Sequence, residues 1–128
     1  MAIRVVRLGT SRSANEGLRV GTVRWPPRGV PKSEHASRDF YDVWLPELSP
    51  SEKLVKEAQA AKDERAWAAF EKRYRSEMKR PEAERLLALL AGLSRQTNLS
   101  VGCYCADEMR CHRSVLKKLL AEHGASMS

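Results

Sequence analysis

Apolar residues along this chain follow two rhythms, and the change between them sets out the elements. The opening Ile3-Arg-Val-Val-Arg-Leu8 is β-branched and stops at Gly9-Thr-Ser-Arg12, a turn of small polar residues, which predicts a strand and then a loop. From Leu18 to Trp25, Val20, Thr22 and Arg24 alternate with Gly21, Val23 and Trp25, the period-two pattern of a second strand. Pro26-Pro-Arg-Gly-Val-Pro31 then excludes regular structure. Prolines lack an N–H donor and Gly29 admits positive φ, so this is a shaped loop that presents Arg28. Phe40 to Leu45 is apolar and aromatic and reads as a third strand or as part of a wrapping loop.

After Ser49 the period becomes helical. Ser49-Pro-Ser-Glu52 reads as a capping box, with Ser49 as N-cap, Pro50 first in the helix and Glu52 third; Leu54, Val55, Ala58 and Ala61 form its apolar side. Asp63 caps a second helix in which Trp67, Phe70, Tyr74 and Met78 recur at spacings of three and four. A stripe at that period needs a partner surface, so these aromatics are expected in the core. Pro81 opens a third helix with Leu86, Leu87 and Leu90 inward. Residues 99–104 read as a buried strand and Cys111 to Leu120 as a helix, with Gly124 as its stop. Strands separated by long helical crossovers predict an α/β protein: one domain over residues 1–128, three-layer-like, with a short, mostly parallel sheet flanked by helices.

The 128 residues are 42% hydrophobic and 30% charged, the composition of an ordinary globular protein. No apolar run approaches the roughly 20 residues of a membrane span, and Met1-Ala-Ile-Arg-Val-Val-Arg7 is too short and charged for a signal peptide. The expected setting is the cytoplasm, away from membranes. The net charge of +7 is concentrated: residues 1–38 hold eight Lys and Arg against two Glu, while the rest is near balance. That predicts an anion-binding face for a small phosphorylated molecule, or weak contact with nucleic acid.

The three cysteines all fall between Cys103 and Cys111, followed directly by His112 and Arg113. They flank the loop where a strand hands over to a helix, a common place for chemistry in α/β proteins. A thiol at a helix N-terminus is expected to lose its proton readily, and the adjacent His112 and Arg113, opposing the helix dipole, suggest an anion between them. Cys103, Cys111 and His112 are therefore the candidate catalytic residues. Arg110 also adjoins Cys111. Ser11, Arg12, Arg28, Gly29 and Arg113 are the candidate anion-binding residues, converging from three segments on one pocket. Zinc on Cys103, Cys105, Cys111 and His112 is disfavoured. The spacing is not that of paired knuckles, and adjacent positions on a helix point about 100° apart. No cofactor is implied. A bridge from Cys111 to Cys103 or Cys105 requires α-carbons within about 7 Å.

The Cys-x7-Cys-His-Arg run at Cys103 to Arg113 resembles the C-terminal signature of the bacterial and archaeal "domain of unknown function 488" (DUF488) family. Arg24-Trp-Pro-Pro-Arg-Gly29, followed by Val30-Pro-Lys32, is similar to the Trp-Pro-Arg-Gly loop of its short, YeaO-like branch, and Asp42 to Ser51 resembles the stretch after that loop. The chain departs from the pattern at Cys105, at Thr10 in place of a turn histidine, and by an extra proline before Arg28. The resemblance implies a small α/β fold and names no activity. The functional expectation is an anion-binding pocket around the Cys-His-Arg motif, with a thiol-dependent enzyme acting on a phosphorylated or nucleotide-like substrate as its chemical form. The alternative is a non-enzymatic nucleic-acid-binding module using the basic first third. Whether the chain is an enzyme, and in what oligomeric state, is left open by the sequence.

Overall fold

A computed structural model describes residues 1–105, 107 and 111–128. Four strands form one parallel sheet: β1 (Ile3–Arg7), β2 (Leu18–Gly21), β3 (Val43–Trp44) and β4 (Leu99–Cys103), in the spatial order β1-β4-β2-β3. Four helices accompany them: α1 (Glu52–Ala60), α2 (Glu64–Glu77), α3 (Pro81–Ser94) and α4 (His112–Glu122). This is the small α/β fold with a parallel sheet that the pattern predicted. No helix among the described residues is long and apolar enough to cross a membrane.

The pairing register explains the two faces. Ile3 and Leu18 both lie opposite Leu99, Val5 and Val20 opposite Val101, and Arg7 opposite Cys103. Because side chains alternate along a strand, Ile3, Val20, Leu99 and Val101 share one face. They pack with Leu54 of α1, Phe70 and Tyr74 of α2, Leu87 and Leu90 of α3, and Val115, Leu116, Leu119 and Leu120 of α4 in one core. Each such Leu or Ile withdrawn from water adds about 1.5–3 kcal/mol. The aromatic stripe of α2 is core, as expected.

The opposite face carries Ser100, Arg19 and the glycines Gly21 and Gly102, and is covered by the loops after β1 and β2 rather than by helices. The third layer is thus irregular chain. A Cβ on Gly21 would lie 2.3 Å from the Tyr41 ring, and one on Gly102 would lie 2.5 Å from the Val6 carbonyl oxygen. Those glycines let the loop layer and the neighbouring strand come close.

Boundaries differ from the sequence reading in three places. β2 ends at Gly21, because Thr22 already turns its amide and hydroxyl onto the Gly102 carbonyl. Only Val43 and Trp44 of the 40–45 stretch pair as strand. Helix α1 is capped by Ser51, whose hydroxyl accepts from the Leu54 amide, and not by Ser49, which is buried with its carbonyl accepting from Arg24.

Candidate functional site at the end of the central strand

Strand β4 ends at Cys103, which is 1% exposed, and α4 begins just after Cys111, also 1% exposed. Cys111 is the N-cap of α4, with φ −129° and ψ 149°. It is extended, so the angular separation of neighbours on a helix does not apply to it. The expectation that Cys111 and His112 must diverge is corrected by that backbone: Cys111 Sγ lies 3.9 Å from His112 Nδ1. Cys103 and Cys111 are paired sulfur to sulfur as a disulfide, one of the two bridges the sequence allowed, across α-carbons 7.7 Å apart. The two sulfurs and a ring nitrogen of His112 all lie within 4.8 Å of one another. Cys105 is exposed and free, outside that group.

His112 is held by two neighbours. Its Nε2 lies 2.7 Å from the Thr22 carbonyl oxygen, an acceptor only, so Nε2 carries the hydrogen and Nδ1 the lone pair that faces Cys111. Its ring meets the Tyr74 ring edge-on at 5.8 Å. Loss of hydration lowers its pKa to about 4, assisted by the charges of Arg113 and Arg24 against the opposing Thr22 hydrogen bond. His112 is therefore neutral near pH 7 and is not half of a cationic pair, which corrects the dipole argument. Its Nδ1 lone pair therefore stands as an acceptor beside Cys111 Sγ.

A cavity of about 80 Å³ opens beside this group, lined by Cys105, Cys111, His112, Gln59, Phe70 and Pro50 among others. Burial raises the Cys105 thiol, with the Arg113 and Arg7 charges opposing. The cations felt here are thus Arg113, Arg24 and Arg7. Arg24 donates to the carbonyls of Ser49 and Pro50, and Arg7 to that of Tyr104. Arg24 and Arg7 were missed by the sequence reading, which assigned cations by loop type. Their positions beside the ends of β2 and β1 follow from the parallel register and were the available signal.

The pocket expected from three segments is not assembled. Arg12 is tied to Asp42 at 2.7 Å and to Asp39 at 3.3 Å. Arg28, Gly29 and Ser11 are exposed, and none of them lines the cavity beside Cys111. Arg113 is buried at 4% exposure, not presented at a surface. Arg110 lies outside the described residues. The basic first third is likewise less open than its count suggests. Arg19 is fully enclosed against Glu16, and Arg38 pairs with Glu34.

Comparison with known proteins adds one observation. The family model described as the active DUF488-N3 subclade matches residues 3–124. The chain belongs to the DUF488 family. The DUF488 match takes in every strand, every helix and the whole Cys-His-Arg motif, so the resemblance drawn from Cys103, Cys111, His112 and Arg113 holds at family level. No curated protein and no solved structure matches the chain.

Proposed function

We propose that this DUF488 protein is a thiol-dependent enzyme, with Cys111 as its reactive group and a small anionic substrate, or the anionic end of a larger phosphorylated one. The observation that carries the reading is the meeting of Cys111, Cys103 and His112 beside a cavity at the C-terminal edge of a parallel sheet. That edge is where open α/β sheets bind ligands. His112 Nδ1 faces the Cys111 sulfur, and the charges of Arg24 and Arg113, which reach His112, suit a negatively charged partner. A cavity of about 80 Å³ takes a small group and leaves the remainder of a larger ligand outside. Cys103 is the second thiol of the centre, and Cys105 stands at the mouth.

The test is site-resolved alkylation of the reduced, metal-free protein with iodoacetamide across pH, read by mass spectrometry. Cys111 should label with an apparent pKa below about 8.5 and be protected by inorganic phosphate, while Cys105 should label only at higher pH. A Cys111 pKa at or above the free-thiol value would overturn the reading. The nucleic-acid module has less support, because the arginines that suggested it are largely paired within the fold.

A further inference from the structure

We infer that Cys103, Cys111 and His112 are the protein ligands of a thiophilic divalent cation of the zinc type, with a fourth position open to the adjoining cavity. The inference rests on the reading of this cluster as the functional centre and adds what it holds. Three soft or borderline donors lie within 4.8 Å of one another, and among the described residues no carboxylate belongs to the group. Two thiolates with an imidazole suit zinc and not magnesium or calcium, which take oxygen ligands.

The histidine is already arranged as a ligand. Nε2–H donates to the Thr22 carbonyl at 2.7 Å, which fixes the tautomer and leaves Nδ1 as the donor atom facing Cys111. Backbone carbonyls orient metal-bound histidines in this manner. The carbonyl is itself fixed, because Thr22 anchors its amide and hydroxyl on Gly102, one residue before Cys103. One ligand is thus held through the strand that supplies another.

The cysteine spacing points the same way. Their α-carbons are 7.7 Å apart, beyond the roughly 7 Å that a disulfide spans without backbone movement. Two-electron reduction of the pair by a dithiol or other thiol reductant breaks the S–S bond and yields two thiolates, which on one tetrahedral zinc sit about 3.8 Å apart, a separation the wide backbone spacing accommodates. Charge also balances. A divalent cation with two thiolates and the neutral imidazole that ligation requires is neutral overall, so nearby arginines do not oppose the loaded site. Three protein ligands with a fourth place facing a cavity is the pattern of a catalytic site rather than a closed structural one.

The experiment uses the full chain. Metal content is measured after purification without chelator, and the chelator-stripped protein is titrated with Zn²⁺ and, separately, with Co²⁺. One equivalent should bind, and the Co²⁺ form should show sulfur-to-metal charge-transfer bands with the intense visible bands of four-coordination. Cys103→Ser, Cys111→Ser and His112→Ala should each weaken Zn²⁺ binding by at least about 100-fold, the upper figure for losing an outer partner alone. Cys105→Ser should bind as the parent does. The Co²⁺ spectrum of the parent chain needs no variant to fold. Metal below a tenth of an equivalent, Co²⁺ without sulfur bands, or full binding retained in Cys111→Ser overturns the inference. A Cys111 that alkylates readily in a chain that takes no metal defeats this inference and leaves the thiol reading standing. Bound metal with an unreactive, stripped Cys111 does the reverse.

Discussion

Arg19 is the largest fully enclosed side chain among the described residues, and each of its three guanidinium nitrogens donates. Nε and Nη2 grip the Glu16 carboxylate at 2.6 and 2.9 Å, and Nη1 donates to the carbonyls of Thr10 and Asp39 at 2.8 and 2.7 Å. Ser100 adds a hydroxyl to Glu16 at 2.7 Å. This network binds both covering loops to the second face of the sheet. Glu16→Gln would leave a buried guanidinium without its counter-charge, so it should destabilise the protein by about 3–5 kcal/mol in urea unfolding. Burial alone would raise the Glu16 carboxyl, but the hydrogen bonds of Arg19 and Ser100 and the Arg19 charge outweigh it and hold the pKa below its ordinary 4.5. Asp42 is held below 3.8 in the same sense, where Arg12 and the Arg19 amide outweigh burial. Carboxylates depressed by folding add stability that is complete above their unfolded values and is lost as pH falls through the folded ones. The melting temperature should therefore drop as pH falls below about 4.5, and Glu16→Gln should blunt that drop. A parent melting temperature that is level down to pH 3 would show that these pairs do not support the fold.

Helix α1 illustrates what a local motif leaves undecided. Ser49-Pro-Ser-Glu52 offers two serines, and the capping-box spacing favours Ser49. The chain instead folds Ser49 inward through its carbonyl contact with Arg24 and caps with Ser51, whose backbone amide donates to the Glu77 carboxylate of α2. Ser51→Ala should cost about 1 kcal/mol and speed amide exchange in the first turn of α1, whereas Ser49→Ala should leave that exchange unchanged. The central strand offers a second test. Gly102→Ala puts a methyl 2.5 Å from the Val6 carbonyl and 2.9 Å from Leu8 Cδ2, and the first of these is backbone that cannot rotate away. A loss of about 1–3 kcal/mol is expected, with the β1–β4 amides exchanging faster. An unchanged exchange pattern would mean the two strands separate at no cost.

For the molecule as a whole, the charge excess of the first third has structural work to do. Arg12, Arg19, Arg24 and Arg38 hold loops and carbonyls, and Arg28 and Lys32 are left exposed on the loop after β2. Duplex DNA should accordingly bind weakly, with a dissociation constant above about 1 μM at physiological salt and a log–log salt slope of only a few units. Fluorescence anisotropy with unrelated duplexes checks this. A sequence-selective complex that persists in high salt would restore the nucleic-acid reading.

The strands at Ile3 and Leu99, the stripe of α2, Pro81 at the start of α3 and the Gly124 stop were legible because they are local: period, capping and missing donors act within one or two turns of chain. Cys103, Cys111 and His112 were legible as chemistry for the same reason, since they lie within a few residues of each other. Their mutual geometry was not. It depends on Cys111 being an extended N-cap and on a tautomer imposed by Thr22, ninety positions away in the chain. The role of each arginine was equally hidden. A guanidinium binds whichever carboxylate or carbonyl the fold brings to it, and Asp42 and Ser49 reach Arg12 and Arg24 only after β2, β3 and β4 have paired in register.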